Sequence, residues 1–163
     1  MLIFKDVAMT PAINKAKQSK IRFVIHEYEH DPAAESYGKE AAEKLGVEPE
    51  RVFKTLVVAC GGKDLTVAVV PVMRQLDLKL LAKAVGVKKV AMAEVKQVER
   101  VTGYVVGGVS PLGQKKQLPT VIDASAEAYD TIFVSAGRRG MDIELSPQDL
   151  ASLTRAGFAP VAR

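Results

Sequence analysis

The chain has 163 residues, of which 48% are hydrophobic and 26% are charged, and its formal net charge at pH 7 is +4. A chain of this length and composition is expected to fold as one globular domain, which excludes a disordered or fibrous protein. The single cysteine, Cys60, excludes an internal disulfide framework, and two histidines leave no set of zinc ligands. We therefore expect no metal and no cofactor.

No apolar run approaches the ~18–20 residues that a membrane-spanning helix needs, and the N-terminal MLIFKDVA lacks the features of a secretion signal. We therefore expect a cytoplasmic protein that makes no contact with a membrane. Residues 1–9 are interpreted as an N-terminal extension that precedes one domain, residues 10–163. The modest positive charge is compatible with a polyanionic partner but does not require one.

Helix and strand signals follow one another through the first half of the chain. Thr10-Pro11 provides an N-cap and a first-turn proline, which predicts a short helix after it. The alternating segment 21–30 predicts a strand, and segment 37–45 predicts a helix that Gly46 ends. Two apolar runs joined by a Gly-Gly-Lys-Asp turn predict a β-hairpin over residues 53–72.

The second half of the chain continues this mixture. Asp77 predicts the start of a helix that Gly86 ends, and another helix is expected to end near Gly103. The segments LPTVIDA, TIFVSAG and MDIEL are strand candidates, and a last helix is expected to begin at Ser146-Pro147 and to be closed by Gly157. Because strands and helices do not alternate regularly, we predict an α/β (α+β) domain with one mixed, curled, barrel-like sheet flanked by helices.

The segment GYVVGGVSPLGQKK, residues 103–116, interrupts this pattern with four glycines and a proline. Residues Gly107 to Pro111 form a G-x-x-x-P unit, for which a bend between strands is a sufficient explanation. Glycines also allow backbone N–H groups to approach a ligand closely, as phosphate and oxyanion donors do. The pattern leaves both interpretations open.

Two charged residues are candidates for chemistry. Lys54 stands at the start of an apolar run, where it either extends to water or directs an ammonium group into a cleft to hold a phosphate or an acyl carbonyl. Asp142 and Glu144 alternate with apolar residues, so both acids are expected on one strand face. They are either solvated, or Asp142 orients Lys54 or a substrate amine.

A further set of residues concerns nucleophiles and nucleic acid. Ser110 suggests a nucleophile, but the G-x-S-x-G elbow is absent and only two histidines could act as a base, which argues against a classical serine hydrolase. Arg138 and Arg139 form a cationic turn between glycines. Together with Lys115 and Lys116 they either face solvent or contact RNA phosphates.

Several segments taken in order resemble one family. They are TPAINKAKQSKIRFVIHEYEHDP, RVFKTLVV, QLDLKLLAKAVG, TGYVVGGVSPLGQKK, LPTVIDA and SAGRRGMDIEL. Together they resemble the YbaK-type deacylases, free-standing relatives of the editing domain of bacterial prolyl-tRNA synthetases. The resemblance runs from about Thr10 to the last helix, and it implies that family's fold.

The resemblance also implies an activity: removal of cysteine from mischarged Cys-tRNA(Pro), with some activity on Cys-tRNA(Cys), in partnership with prolyl-tRNA synthetase. It implies that Lys54 of the F-K-T-L motif is the main functional residue and that Gly107 to Pro111 position the aminoacyl-adenosine end. Tyr28 and Asp142 match further pocket positions. Gly107 and Gly108 are thus candidate catalytic donors, and Ser110 and Pro111 are candidate substrate contacts.

The family is understood to use the substrate's own cysteine thiol, which attacks the ester carbonyl and leaves as a cyclic thiolactone. Such an intramolecular attack gains its rate from proximity and needs no protein nucleophile. An ordinary lysine pKa near ~10 would make Lys54 a binding group and not a general base. Two alternatives stay open: a sister enzyme that clears alanine from Ala-tRNA(Pro), and a non-catalytic module that binds tRNA or the synthetase.

Overall fold

The structure is a computed structural model that describes residues 9–163. The predicted N-terminal extension, apart from Met9, lies outside the described residues. The helices are α1 (Pro11–Gln18), α2 (Tyr37–Leu45), α3 (Leu78–Val85), α4 (Val95–Thr102) and α5 (Pro147–Thr154). The strands are β1 (Phe23–Glu27), β2 (Phe53–Ala59), β3 (Leu65–Pro71), β4 (Ala91–Met92), β5 (Thr120–Asp123), β6 (Ile132–Arg138), β7 (Met141–Leu145) and β8 (Gly157–Ala159).

The helix ends follow from the capping chemistry of the sequence. The Thr10 hydroxyl accepts a hydrogen bond from the backbone N–H of Ile13, and the Asp77 carboxylate accepts one from Leu80. Gly46 ends α2 in a left-handed conformation. The end of α5 differs from the prediction, because Arg155 adopts the left-handed conformation there and Gly157 begins β8 instead.

The strands form two sheets and not the single curled sheet that was expected. One has the order β1-β7-β6 and is antiparallel; the other has the order β4-β2-β3-β5-β8 and is mixed, because β5 runs parallel to β3 and β8. The mixed α/β class is confirmed, while the strands within residues 9–163 form no closed barrel. The sequence did not predict β4 and β8, which have two and three residues.

The two sheets approach each other at one end of β2. An isolated parallel bridge joins Val52 to Phe133 of β6. Beyond this bridge β2 pairs with β3 along its inner edge, whereas β4 pairs with its outer edge only at Val58 and Ala59. The backbone N–H of Ala93, next after β4, also donates to the Val57 carbonyl (3.1 Å). Within residues 9–163 the outer edge of β2 therefore has no strand paired with it from Thr55 to Leu56.

The C-terminal segment is fixed by one buried carboxylate. Asp123 is 2% exposed, and its Oδ1 accepts hydrogen bonds from the backbone N–H groups of Val161 (2.9 Å) and Ala162 (3.0 Å). Burial disfavours the ionised form, but hydrogen bonds from Ser125, Val161 and Ala162 outweigh burial and lower the pKa of Asp123. Arg74 lies 3.6 Å from Oδ2 and donates to the Ala162 carbonyl.

We predict that Asp123→Ala lowers the free energy of unfolding by about 2–4 kcal/mol, because it leaves buried N–H groups without an acceptor. Urea unfolding at pH 7 measures the loss, with Asp130→Ala as the control because Asp130 is exposed. Since the pKa of Asp123 is lowered in the folded protein, its contribution is lost as the pH falls through that pKa. An Asp123→Ala protein as stable as the control would contradict this account.

Candidate active site

A cleft of about 390 Å³ opens along the unpaired outer edge of β2. The β6–β7 hairpin faces this edge, α2 forms one side wall, and α4 with the glycine segment forms the other. The lining residues are Tyr28, Glu35, Ser36, Tyr37, Gly38, Ala41, Val52, Phe53, Lys54, Thr55, Leu56, Val57, Met92, Ala93, Val95, Val98, Val106, Gly107, Val109, Ser135, Arg138, Arg139 and Asp142.

Lys54 lines the cleft without an acidic partner. No ion pair involves Lys54 within residues 9–163, and the possible pairing with Asp142 is not formed. Burial, and to a lesser extent the charge of Lys39 on α2, lowers the pKa of Lys54. The pKa of Lys54 thus lies below the ordinary lysine value that was expected, and the amine is easier to deprotonate than a solvated one.

Asp142 supplies the opposite charge type in the same cleft. It lies on β7 opposite His26 of β1 and Ser135 of β6, and it is 7% exposed. Burial raises the pKa of Asp142 to about 7. Burial and the neighbouring Asp142 together raise the pKa of Tyr28 to about 12, so the phenol stays protonated near neutral pH.

Glu144 lies on the same strand face as Asp142, but its carboxylate is held by neighbouring side chains and does not line the cleft. Its carboxylate lies 2.9 Å from His26 Nε2 and 3.3 Å from Arg51 Nη2, and it accepts a hydrogen bond from Thr131. Burial disfavours ionisation, but the hydrogen bonds from Thr131 and His26 and the charge of Arg51 lower the pKa of Glu144. The alternation in MDIEL placed both acids on one face but could not show which one reaches the cleft.

Gly107 lies in the wall of the cleft, where a side chain would not fit. Its φ of +96° is in the left-handed region, and an added Cβ would overlap Arg139 Nε and lie 2.7 Å from the Tyr37 ring. Arg139 stacks over that ring, with Cζ 4.1 Å from the ring centroid, and donates a hydrogen bond to the Val106 carbonyl (2.9 Å). At the cleft, the Arg139 side chain thus packs between the Tyr37 ring and the glycine segment.

Residues 30–153 match the family described as the aminoacyl-tRNA editing domain. The chain belongs to this family. It is 46% identical over 160 residues to an Enterococcus faecalis protein provisionally named Cys-tRNA(Pro)/Cys-tRNA(Cys) deacylase EbsC, which covers 96% of this chain and 95% of that relative. The family resemblance seen in the sequence is confirmed.

Solved structures show the same editing-domain fold. The hypothetical protein APE2540 superposes with a TM-score of 0.84 at 25% identity, covering 94% of this chain and 100% of that one. A protein described provisionally as a trans-editing enzyme for prolyl tRNA synthetase superposes with a TM-score of 0.79 at 24% identity, covering 96% and 99%. Both likenesses extend over nearly the whole chain.

In this editing domain the glycine segment contributes less to the cleft than expected. The backbone N–H of Gly108 donates to the Val105 carbonyl (2.8 Å), so it is already used within the loop and is not a free catalytic donor. A Cβ at Gly108 would lie 2.7 Å from Arg138 Cα, so a glycine at this position allows the loop to pack on the β6–β7 turn. Gly107 remains the glycine of this segment that lines the cleft.

Ser110 and Pro111 support the loop and do not line the cleft. Ser110 is 0% exposed, its hydroxyl accepts a hydrogen bond from the Leu112 N–H, and its carbonyl accepts one from the Gln114 side chain. Pro111 is also buried. Neither residue is on the cleft surface, so the substrate contacts expected of them stay a prediction.

The four expected tRNA-contact residues separate into two pairs. Arg138 and Arg139 are exposed and line both the cleft and a second depression beside it. Lys115 and Lys116 line neither; their backbone N–H groups bind carbonyls at the end of α4, and Lys115 lies next to Gly103 at the rim of the second depression.

Sequence reasoning missed Tyr37 and Thr55 as cleft residues. An aromatic residue in the first turn of a helix carries no motif, and a threonine in a strand is ordinary. Within residues 9–163 no helix has the length and apolar character for crossing a bilayer. The same residues hold no group of three or more His, Cys, Asp or Glu side chains arranged to bind a metal ion.

We predict that Asp142→Asn is more stable than the parent at pH 8. Because the folded-state pKa of Asp142 is raised to about 7, the parent loses stability as the pH rises from the ordinary aspartate pKa near ~4 to about 7, and the variant does not. The difference between the two should grow by up to about 1.4 kcal/mol per pH unit below pH 7 and then level off.

Urea unfolding between pH 4.5 and pH 8.5 measures this difference. The matched control is Glu144→Gln, which removes a carboxylate whose pKa is lowered and should destabilise the protein at neutral pH. A parent and an Asp142→Asn variant with parallel pH profiles would contradict the assigned environment of Asp142.

Proposed function

We propose that this protein is a trans-editing aminoacyl-tRNA deacylase that removes cysteine from mischarged Cys-tRNA(Pro), and also from Cys-tRNA(Cys). The observation that carries the proposal is that one cleft of an editing-domain fold collects Lys54, Tyr28, Asp142 and Gly107. A volume of about 390 Å³ suits an aminoacyl ester with part of its nucleoside, because ligand clefts in proteins start near ~300 Å³.

The amino acid would be held by its charged end. Asp142 lies in the cleft without an ion pair within residues 9–163, and the α-ammonium of an aminoacyl ester would supply one. Binding a cation would favour the ionised carboxylate against the burial that raises its pKa. Lys54 would bind the ester carbonyl or the terminal phosphate, and the Gly107 N–H is a candidate donor to the developing oxyanion.

The chemistry would come from the substrate. Neither histidine lines the cleft, since His26 pairs with Glu144 and His30 pairs with Glu40, so the serines in the wall have no imidazole base. The cysteine sulfur would attack the ester carbonyl carbon, the bond to the ribose 3′ oxygen would break, and the thiol proton would end on that oxygen. Proximity enforced by the cleft would supply most of the rate.

The tRNA would reach the cleft past its cationic rim. Arg138 and Arg139 lie at the mouth, and the second depression leads from them toward Gly103 and Lys115, with Lys116 next along the chain. Such exposed cations suit phosphate contacts, which position a nucleic acid without reading its sequence. We further propose that the protein acts in the cytoplasm alongside prolyl-tRNA synthetase, where mischarged tRNA(Pro) is made.

We predict that the purified protein releases cysteine from Cys-tRNA(Pro) much faster than alanine from Ala-tRNA(Pro). Lys54→Ala should lower kcat/KM by about a hundredfold or more, the usual effect of removing one preorganised charge-stabilising donor. Lys63→Ala, in the exposed β2–β3 turn, is the matched control and should retain the parent rate. The assay for all three proteins follows the radiolabelled amino acid that becomes acid-soluble when it is released from charged tRNA.

Three outcomes would contradict parts of this proposal. Preferential release of alanine would move the protein to the sister activity, and tight binding of tRNA without release would make it a binding module. A Lys54→Ala variant with the parent rate would remove Lys54 from the site.

A further inference from the structure

One buried side-chain polar atom within residues 9–163 has no hydrogen-bond partner, and it is the hydroxyl oxygen of Thr55. A buried hydroxyl without a partner destabilises a protein, so natural structures contain few of them. Thr55 follows Lys54 on β2 and lines the cleft. An unpartnered polar atom at this position requires a physical reason.

The backbone of Thr55 is also open on one side. In the β2–β3 ladder Cys60 donates to Asp64 and Val72 donates to Val52, so the even-numbered residues of β2 direct their backbone groups toward β3. Thr55 therefore directs its N–H and C=O toward the outer edge. Within residues 9–163 no strand pairs with that edge at Thr55, because the hydrogen bonds on this side begin at Val57, whose carbonyl accepts from the Ala93 N–H.

The surroundings of Thr55 limit what can bind it. Side chains alternate along a strand, so Thr55 lies on the face of Phe53 and Val57, opposite to that of Lys54. The same wall of the cleft carries Val98 and Val109. A group that reaches Thr55 is thus small, mostly apolar and able to make one hydrogen bond, which describes a thiol.

We propose that Thr55 is a substrate-binding residue whose hydroxyl accepts a hydrogen bond from the thiol of the cysteinyl group. Thr55 is partly exposed although its Oγ1 is not, and rotation about the Cα–Cβ bond brings the hydroxyl to the cleft in place of the methyl group. This inference rests on the proposed function and adds a residue that distinguishes cysteine from alanine. The free protein retains an unpaired hydroxyl, and the substrate pairs it.

The isosteric variant Thr55→Val separates this role from a structural one. It should unfold at the same or a higher urea concentration than the parent, because it removes an unpaired buried hydroxyl. Its kcat/KM on Cys-tRNA(Pro) should fall about tenfold, the worth of one hydrogen bond. Thr55→Ser, which keeps the hydroxyl, should retain a rate close to that of the parent.

The matched control is Thr66→Val on β3. The Thr66 hydroxyl accepts a hydrogen bond from Cys60 Sγ (3.3 Å) and does not line the cleft, so this variant should lose stability and keep the parent activity. Thr55→Val with the parent rate would overturn the inference. So would a Thr55→Val protein that is destabilised as much as the control.

A binding measurement keeps the inference testable if the parent proves inactive, an outcome that would contradict the proposed function alone. The probes are 3′-cysteinylamino-3′-deoxyadenosine, a non-hydrolysable amide, and its alanyl counterpart. Thr55→Val should weaken the binding of the cysteinyl probe about tenfold and leave the affinity for the alanyl probe unchanged. Equal losses for both probes, or no loss for either, would overturn the assignment of the hydroxyl to the thiol.

Discussion

The site depends on one topological constraint, the unpaired outer edge of β2. The bridge between Val52 and Phe133 brings the two sheets together, and β4 with the adjacent Ala93 covers the edge only from Val57 onward. An open strand edge inside a protein would normally be paired or covered. Here the gap between these two points is the cleft, and it places Lys54 and Thr55 on opposite faces of one strand beside the β6–β7 hairpin.

The two ionisable groups Lys54 and Asp142 are both partly or fully buried in the cleft and have no ion-pair partner within residues 9–163. Lys54 and Asp142 both line it, burial lowers the pKa of one and raises that of the other, and no ion pair joins them. The ionised form of each group is thus less favoured than it would be in water, and a ligand with a complementary charge or dipole would stabilise the ionised forms. Glu144, two residues from Asp142, differs in this respect, because His26 and Arg51 already pair with its carboxylate in the free protein.

Local chemistry made the helices predictable. Caps such as Thr10 and Asp77 and the stop at Gly46 depend on neighbouring residues alone, and the structure has them as expected. Lys54, Gly107 and Asp142, which the family resemblance named as site residues, all line one cleft, and their roles stay predictions. Features that depend on distant contacts were not predictable.

The errors share that origin. The N–H of Gly108 donates to the Val105 carbonyl because of how the loop folds, and the unpaired Thr55 hydroxyl depends on the sheets around it.

The most direct test of the account compares cysteine and serine esters of the same tRNA(Pro), because serine has nearly the same size but no thiol. The account predicts that the cysteine ester is cleaved at least about a hundredfold faster, since only the thiol is a strong internal nucleophile near pH 7. Equal rates for the two esters would contradict it and indicate an activated water molecule instead.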